Sequence, residues 1–392
     1  MLLTIIVFVL VLSFLVLVHE LGHFLVAQKF KVKAEEFGLG LPPRIFGLQT
    51  WKDSNRKWRL IKGNKEIVEA EHKFGTVYSL NWLPLGGFVK IKGQDGESKV
   101  ESDSFASRSI WQRFSILSAG VTMNIILAMV LIIIGFIIGM PQALDNLGKQ
   151  AKITDHKMQV VQVFKDSPAA KAGLKIGDAI ISISNKQFSN YGDLQKFVAE
   201  HTGQTLNYQI KRGQTIIISQ IVPEIRQETE RGGVGIAITE TGIVKYPWHI
   251  AIWQGVKTTF VLMWMIVVAF YGLIKGLIFG SGLGVGLTGP VGIAVLTGEV
   301  ARMGIVYLLQ FTALLSVNLA IINFLPFPAL DGGRILFLIV EKIKGSPVKR
   351  EIENITHNIG FFLLMLLILV VTYKDVIKFG SKFKMVWDKM IG

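Results

Sequence analysis

Cysteine is missing altogether from the 392 residues. Disulfides and thiolate-held metals are therefore excluded, any bound metal has only His and carboxylate to hold it, and the compartment of a soluble part is left open. Charge is absent from Met1 to Val18. At 1.5 Å per residue that run extends roughly 27 Å, close to the hydrocarbon thickness of a bilayer. No basic stretch precedes it and no small-x-small cleavage pattern follows it, so it is expected to remain as a membrane helix and not to be removed as a signal peptide. The chain also lacks a basic block interleaved with aromatics. Its formal net charge of +14 comes from Lys and Arg that are scattered or flank apolar runs. This argues against nucleic acid as a partner and for positively charged inner loops and attraction to anionic membrane lipid. With 51% hydrophobic residues, several membrane spans plus one extramembrane domain are expected.

At the end of the uncharged run stands His19-Glu-Leu-Gly-His23. Residues four apart share a helix face, so His19 and His23 can turn ring nitrogens toward one metal ion. Glu20 lies about 100° further round the helix, beside such an ion, where it can take a proton from a water held there. H-E-x-x-H is the zinc-hydrolase pattern; the plainer alternative is an interfacial His-Glu-His cluster where a membrane helix meets water. A zinc ligand pair at membrane depth implies chemistry on something that is itself in the membrane.

The first transmembrane helix is expected over residues 1–26, followed by a polar and basic region at 27–109. The positive-inside rule puts that region in the cytoplasm and the amino terminus outside. Within it, Phe37–Pro43 and Tyr78–Ile91 are apolar but carry Gly and Pro, which rules out helix. A β-loop dipping into the membrane beside the metal is preferred to a small cytoplasmic sheet. In the second helix, 110–140, Trp111 and Arg113 anchor the inner end, Ser118-Ala-Gly120 offers a small-residue face, and Asn124 is a lone polar group expected to bond a neighbouring helix. Residues 150–225 read as a soluble α+β domain outside, with strands at Val160–Phe164 and Ala179–Ile183, a helix at Tyr191–Glu200, and a hairpin closed by Lys211-Arg-Gly-Gln214. Residues 226–300 are expected as a linker carrying an interfacial or re-entrant helix. An unpaired crossing at Thr258–Gly280 would leave the end of the next span on the wrong side for His19, and Lys275, Gly282, Gly284 and Gly286 favour the interfacial form. A third helix at 301–334, a cytoplasmic loop at 335–357, a fourth helix at 358–376 and a tail at 377–392 complete the chain. The expectation is about four crossings with both termini outside.

A catalytic zinc takes three protein ligands and leaves one position open. The metzincin continuation is absent, since Val26 and Lys29 stand where its Gly and third His would fall. Asp331, in Ala329-Leu-Asp-Gly-Gly-Arg334 just after Pro326 and Pro328, lies at the same depth as His19 and His23. It is preferred as third ligand over Glu35 or Glu36, which lie in a polar stretch outside the span. Asn323, before the proline break, can add a neutral hydrogen bond to substrate backbone or oxyanion.

Two resemblances extend this reading. Asp166-Ser-Pro-Ala-Ala-Lys-Ala-Gly-Leu-Lys-Ile-Gly-Asp178 and its flanking strands, over about Met158 to Pro223, resemble the PDZ family, which implies a peptide ligand or a gating module. His19–His23 together with Asn323-Phe-Leu-Pro-Phe-Pro-Ala-Leu-Asp-Gly-Gly333 looks like the site-2 protease family, supported by Pro84-Leu-Gly-Gly-Phe-Val-Lys90 and Gly289-Pro-Val-Gly-Ile293. Relatives often carry two PDZ domains where this chain has room for one. The second span reads Ala119-Gly-Val-Thr-Met-Asn124 where the family has Ala-Gly-Pro. The resemblance implies a polytopic α-helical protein of the bacterial plasma membrane, with a membrane-associated β-loop and an extracytoplasmic PDZ domain. It implies a Zn2+ enzyme that cuts single-span transmembrane substrates, of anti-sigma-factor or remnant-signal-peptide type, after a first cut outside. Under it, His19, His23 and Asp331 hold the metal and Glu20 and Asn323 are catalytic. The strand Gly86-Gly87-Phe88-Val89 takes substrate by β-addition. A membrane metal transporter and a PDZ scaffold are the competing classes.

Overall fold

A backbone in lipid has to satisfy its own hydrogen bonds, and long apolar stretches do so as helices. The computed structural model describes residues 2–51, 58–63, 74–94, 101–144, 147–148, 150–213, 215–226, 231–279 and 288–391. In chain order these form α1 (Leu2–Lys29), β1 (Ala34–Trp51), β2 (Trp58–Lys62), β3 (Phe74–Ile91), α2 (Ile110–Ile138), β4 (Met140–Ala143), β5 (Lys152–Val163), the single turn α3 (Pro168–Lys171), β6 (Ala179–Ile183), α4 (Tyr191–Glu200), β7 (Leu206–Arg212), β8 (Thr215–Ile221), β9 (Glu224–Arg226), β10 (Arg231–Gly233), β11 (Ile236–Lys245), α5 (Trp248–Ile278), α6 (Pro290–Met303), α7 (Ile305–Phe324), α8 (Asp331–Lys344) and α9 (Arg350–Ile391). They fall into two units, Met1–Ile132 with Gly255–Gly392, and Ile133–Gln254.

Among the described residues, five helices are long and apolar enough to cross a membrane: α1, α2, α5, α7 and α9. Their free faces carry Leu3, Leu10, Phe14, Phe362 and Leu366, a surface at ease only in hydrocarbon. The third of these, α5, is the helix expected to be interfacial or re-entrant; Gly282, Gly284 and Gly286, which favoured that expectation, lie outside the described residues. Two segments of the first unit differ from expectation. The stretch expected as the loop 335–357 is mostly helical, with α8 running to Lys344, Gly345 closing it in the left-handed conformation, and α9 starting at Arg350. The apolar period of α8 (Ile335 and Leu338 buried, Leu336, Ile339 and Val340 exposed) was masked by its Lys and Glu. The segment expected as a tail continues α9 to Ile391.

In the first unit, β2, β1 and β3 form a sheet whose polarity is inverted. Glu36, Gln49, Ser79 and Asn81 are buried, while Leu39, Leu41, Leu48, Trp58, Leu60 and Trp82 are exposed. A sheet in water does the opposite, so the outer face is built for lipid and the polar face for the protein. Phe37 of β1 pairs with Val89 on one side and Tyr78 on the other. Gly87–Ile91 therefore has one pairing neighbour among the described residues and forms an edge. A cluster of Ala27, Val32, Ile91, Phe105, Ile116, Leu117, Ile335 and Leu338 locks α1, β3, α2 and α8 together.

The second unit is a six-stranded sheet in the order β4-β11-β5-β6-β7-β8, with α4 burying Leu194 and Val198 in a core that includes Val160, Ile183, Tyr208 and Ile221. Asp178, fully buried, accepts from Lys175 N at 2.8 Å and from Arg212 Nε and Nη2 at 2.7 Å each. The segment expected as linker after residue 225 supplies the end of β9 and all of β10 and β11. β11 runs between β4 and β5, and the unbroken run Thr239-Glu-Thr-Gly242 hid its strand pattern.

Candidate active site

One helical turn of α1 brings His19 and His23 together, their rings edge to face at 4.8 Å. Their Nε2 atoms lie 3.2 Å apart and meet the same carboxylate oxygen, Asp331 Oδ2, at 2.9 and 3.2 Å. These are the ligand-to-ligand separations of a tetrahedral zinc site, whose edges are roughly 3.3 Å for bonds of about 2.05 Å. Among the described residues, His19, His23 and Asp331 are the group whose donor atoms converge in this way, all within 4.8 Å of one another. Glu35 and Glu36 do not reach it: Lys90 holds Glu35 at 2.8 Å, and Arg44 grips Glu36 at 2.9 and 2.6 Å.

The surroundings orient both rings. His23 Nδ1 donates to Ile116 O at 2.8 Å, which leaves the Nε2 lone pair facing the centre. The Asn124 side-chain amide lies 3.3 Å from His19 Nδ1 through its nitrogen, while its buried oxygen has no partner. The two amide atoms have nearly the same shape. Turning the oxygen to the ring lets Nδ1–H donate to it, satisfies the orphan, and frees Nε2 of His19 for a metal. Ser316 Oγ donates to Asn124 O at 2.8 Å, tying α7 to this point of α2. Gly120 makes the room: a Cβ there would collide with His23 Nε2 and lie 2.7 Å from His19 Nε2. The orphan oxygen, the converging lone pairs and the space kept by Gly120 all fit a resident cation.

Asp331 opens α8, and its position is set by the proline break before it. Ala329 sits at φ 78° and donates its N–H to His357 Nδ1 of α9 at 2.9 Å. Gly360 lets α9 pack on Pro328, where a Cβ would meet its carbonyl carbon at 2.7 Å. Arg113 of α2 clasps Glu341 of α8 at 2.9 and 2.6 Å. Glu20 interacts electrostatically with His19, His23 and Asp331, and its Oε2 accepts from Val89 N at 3.0 Å. Asn323 Nδ2 comes within 3.5 Å of His19 Nε2. Gly86 packs on Val16 and donates to Ser13 Oγ at 3.1 Å, while Gly87 and Phe88 pair with Leu39 and Gly38. Ile116, Ser316 and His357 were not singled out from sequence, and Gly120 was read only as part of a helix-packing face. The small-residue face and the lone Asn124 were the available signals for what surrounds the histidines.

Residues 7–64 and 60–367 match peptidase family M50. The regulator of sigma-W protease RasP of Bacillus subtilis is 30% identical over 458 residues, covering 95% of this chain and 98% of that protein. The zinc metalloprotease RasP of Geobacillus kaustophilus is also 30% identical, with 96% and 98% covered. A solved PDZ domain of an SdrC-like protein from Listeria monocytogenes is similar at 26% identity and a TM-score of 0.21, covering 22% of this chain and 92% of that one. The donor set is that of a metallopeptidase, and the chain belongs to peptidase family M50, the site-2 protease family.

Proposed function

We propose that this protein is an intramembrane endopeptidase that hydrolyses a peptide bond within or near the transmembrane segment of a single-span membrane protein, an anti-sigma factor or remnant signal peptide, after a first cut outside. It is a zinc metalloprotease. The observation that carries the intramembrane reading is the convergence of His19 and His23, near the end of the span-length helix α1, with Asp331, which opens α8 just beyond the span-length helix α7. Zinc, when bound, polarises the scissile carbonyl and activates the attacking water. His19, His23 and Asp331 hold it. Glu20 takes the proton from the water and passes it to the leaving amine, while the Asn323 amide donates to the developing oxyanion.

A substrate helix hides its peptide bonds in its own hydrogen-bond ladder and has to unwind first. The edge Gly86–Val89 of β3 is read as the strand that takes an unwound segment, and the hydrogen bond from Val89 N to Glu20 Oε2 supports a base beside that edge. The same site supports a topology. α1 and α7 end at one depth and so run in the same direction, and α2 runs back between them. An even number of crossings then separates α2 from α7. The 14 residues of α6 extend only about 21 Å, so α5 lies in the interface or re-enters. This gives four crossings in a bacterial plasma membrane, with both termini and the second unit extracytoplasmic. The second unit is read as a PDZ domain that takes a peptide and admits substrates already shortened outside. The name of the Bacillus relative, regulator of sigma-W protease, supports the anti-sigma-factor class.

The test is cleavage of a single-span substrate by purified protein in detergent, with bound zinc quantified. Glu20→Gln is expected to keep zinc and lose cleavage by at least about a hundredfold; Asp331→Asn is expected to lose both. Zinc fully retained in Asp331→Asn would move the third ligand elsewhere.

A further inference from the structure

A cavity of about 460 Å³ opens between α2, α8 and α9, and a smaller one of about 270 Å³ runs along Phe88–Ile91 of β3. Gln94 and Arg334 line both, so the substrate edge and the larger cavity share a wall. Arg334 comes about one helical turn after the metal ligand Asp331. The larger cavity sets Arg113, Arg334 and Arg350 against Glu341 and Glu353, a surplus of positive charge. Arg113 and Glu341 neutralise one another, yet Arg113 Nε is buried without a protein acceptor. His357 also lines the cavity. Its Nδ1 accepts from Ala329 N, so the neutral ring carries its proton on Nε2, and that buried atom too has no acceptor. Buried donors without acceptors are costly, and the residues that carry these two line an open, positively biased space.

A ligand that satisfies them is anionic and accepts without donating. Peptide hydrolysis makes one such group: water adds to the scissile carbonyl, the C–N bond breaks, and the carboxylate stays on the fragment N-terminal to the cut while the amine leaves with the other. We infer that this cavity receives the newly formed C-terminal carboxylate of the N-terminal product as it leaves the metal site, with His357 Nε2–H and the arginines as its donors. The inference rests on the peptidase reading. Continuity with the β3 edge favours a peptide over a phospholipid headgroup, which would not need that connection.

The experiment uses full-length, zinc-loaded protein carrying Glu20→Gln, so that no turnover occurs. It measures binding of a labelled apolar pentapeptide with a free C-terminal carboxylate and of the same peptide as its amide. His357→Phe and Arg350→Gln are each expected to weaken the acid by on the order of tenfold, the size of one charge-assisted hydrogen bond, and to leave the amide unchanged. His357→Gln, which can still accept from Ala329 and donate into the cavity, is expected to retain acid binding. Zinc bound at the level of the parent shows each variant folded. An acid-to-amide ratio unaltered by both substitutions would mean that the metal alone holds the carboxylate, and overturns the inference. Phosphatidylglycerol in the micelle that displaces the acid and loses affinity in the same variants would assign the cavity to lipid, and also overturns it. Failure of wild-type enzyme to cleave the single-span substrate counts against the peptidase reading instead, because the binding comparison needs no turnover.

Discussion

Gly120 and Asn124 act on the histidines of α1 from the facing helix, one through the space it leaves and the other through its amide. A methyl group at Gly120 falls on His23 Nε2. Gly120→Ala is expected to lower zinc content and cleavage together, read by metal analysis of the purified variant, because the rings cannot retreat without losing the bond from His23 to Ile116. Asn124→Leu removes the acceptor for His19 Nδ1–H and releases the ring to its other tautomer. Loss of such an outer partner lowers metal affinity by roughly 10- to 100-fold. Asn124→Asp keeps an acceptor and is expected to recover most of that loss in a competitive chelator titration. Leu and Asp behaving alike would show that Asn124 serves packing alone.

Among the elements, the inverted sheet and the contact between α4 and β11 carry the clearest consequences. The sheet places Val89 N–H against Glu20, so a strand joins the proposed catalytic base to the edge proposed for substrate. In the second unit, the backbone N–H of Tyr191 at the start of α4 donates to Glu240 Oε1 of β11 at 2.7 Å. That bond holds the Glu240 carboxyl below the usual range, partial burial works against it, and His156 at 3.2 Å adds to the lowering. A carboxyl depressed in the folded state contributes stability that is present above its unfolded value, about 4.3, and is lost as the pH falls through the folded one. Hydrogen exchange at the first turn of α4, corrected for intrinsic rates, is expected to stay flat from neutral pH to about 5 and to rise below about 4. In Glu240→Gln the step is expected to vanish.

For the whole molecule, the insertion of the second unit can be tested by removing it. Because β4 and β11 belong to its sheet, excising only the stretch that resembles a PDZ domain would strip β11 of most of its pairing with β5 and cut the sheet in two. Met140 pairs with Val244, so the ends of a cut from 140 to 245 are neighbouring strands that a short Gly-Ser linker can join. The excised enzyme is expected to cleave a substrate with its full extracytoplasmic domain, and the intact enzyme to refuse it. Unchanged selectivity would reject the gate and leave the unit as a peptide-binding or spacing module.

Much of this was legible in the chain because it is local. The spacing of His19 and His23 sets one helix face, the uncharged run from Met1 sets a span, and the hairpin round Gly213 follows from its turn. The third ligand was a choice between Asp331 and the nearer Glu35 and Glu36. Packing is what favours Asp331, by bringing it to His19 across 312 residues while Arg44 and Lys90 engage the glutamates. Gly120 beneath the rings, Asn124 on His19, His357 on Ala329 and β11 between β4 and β5 are likewise contacts between distant segments. Each depends on which helix faces or strand edges meet, and residue spacing along one element carries no information about its neighbour.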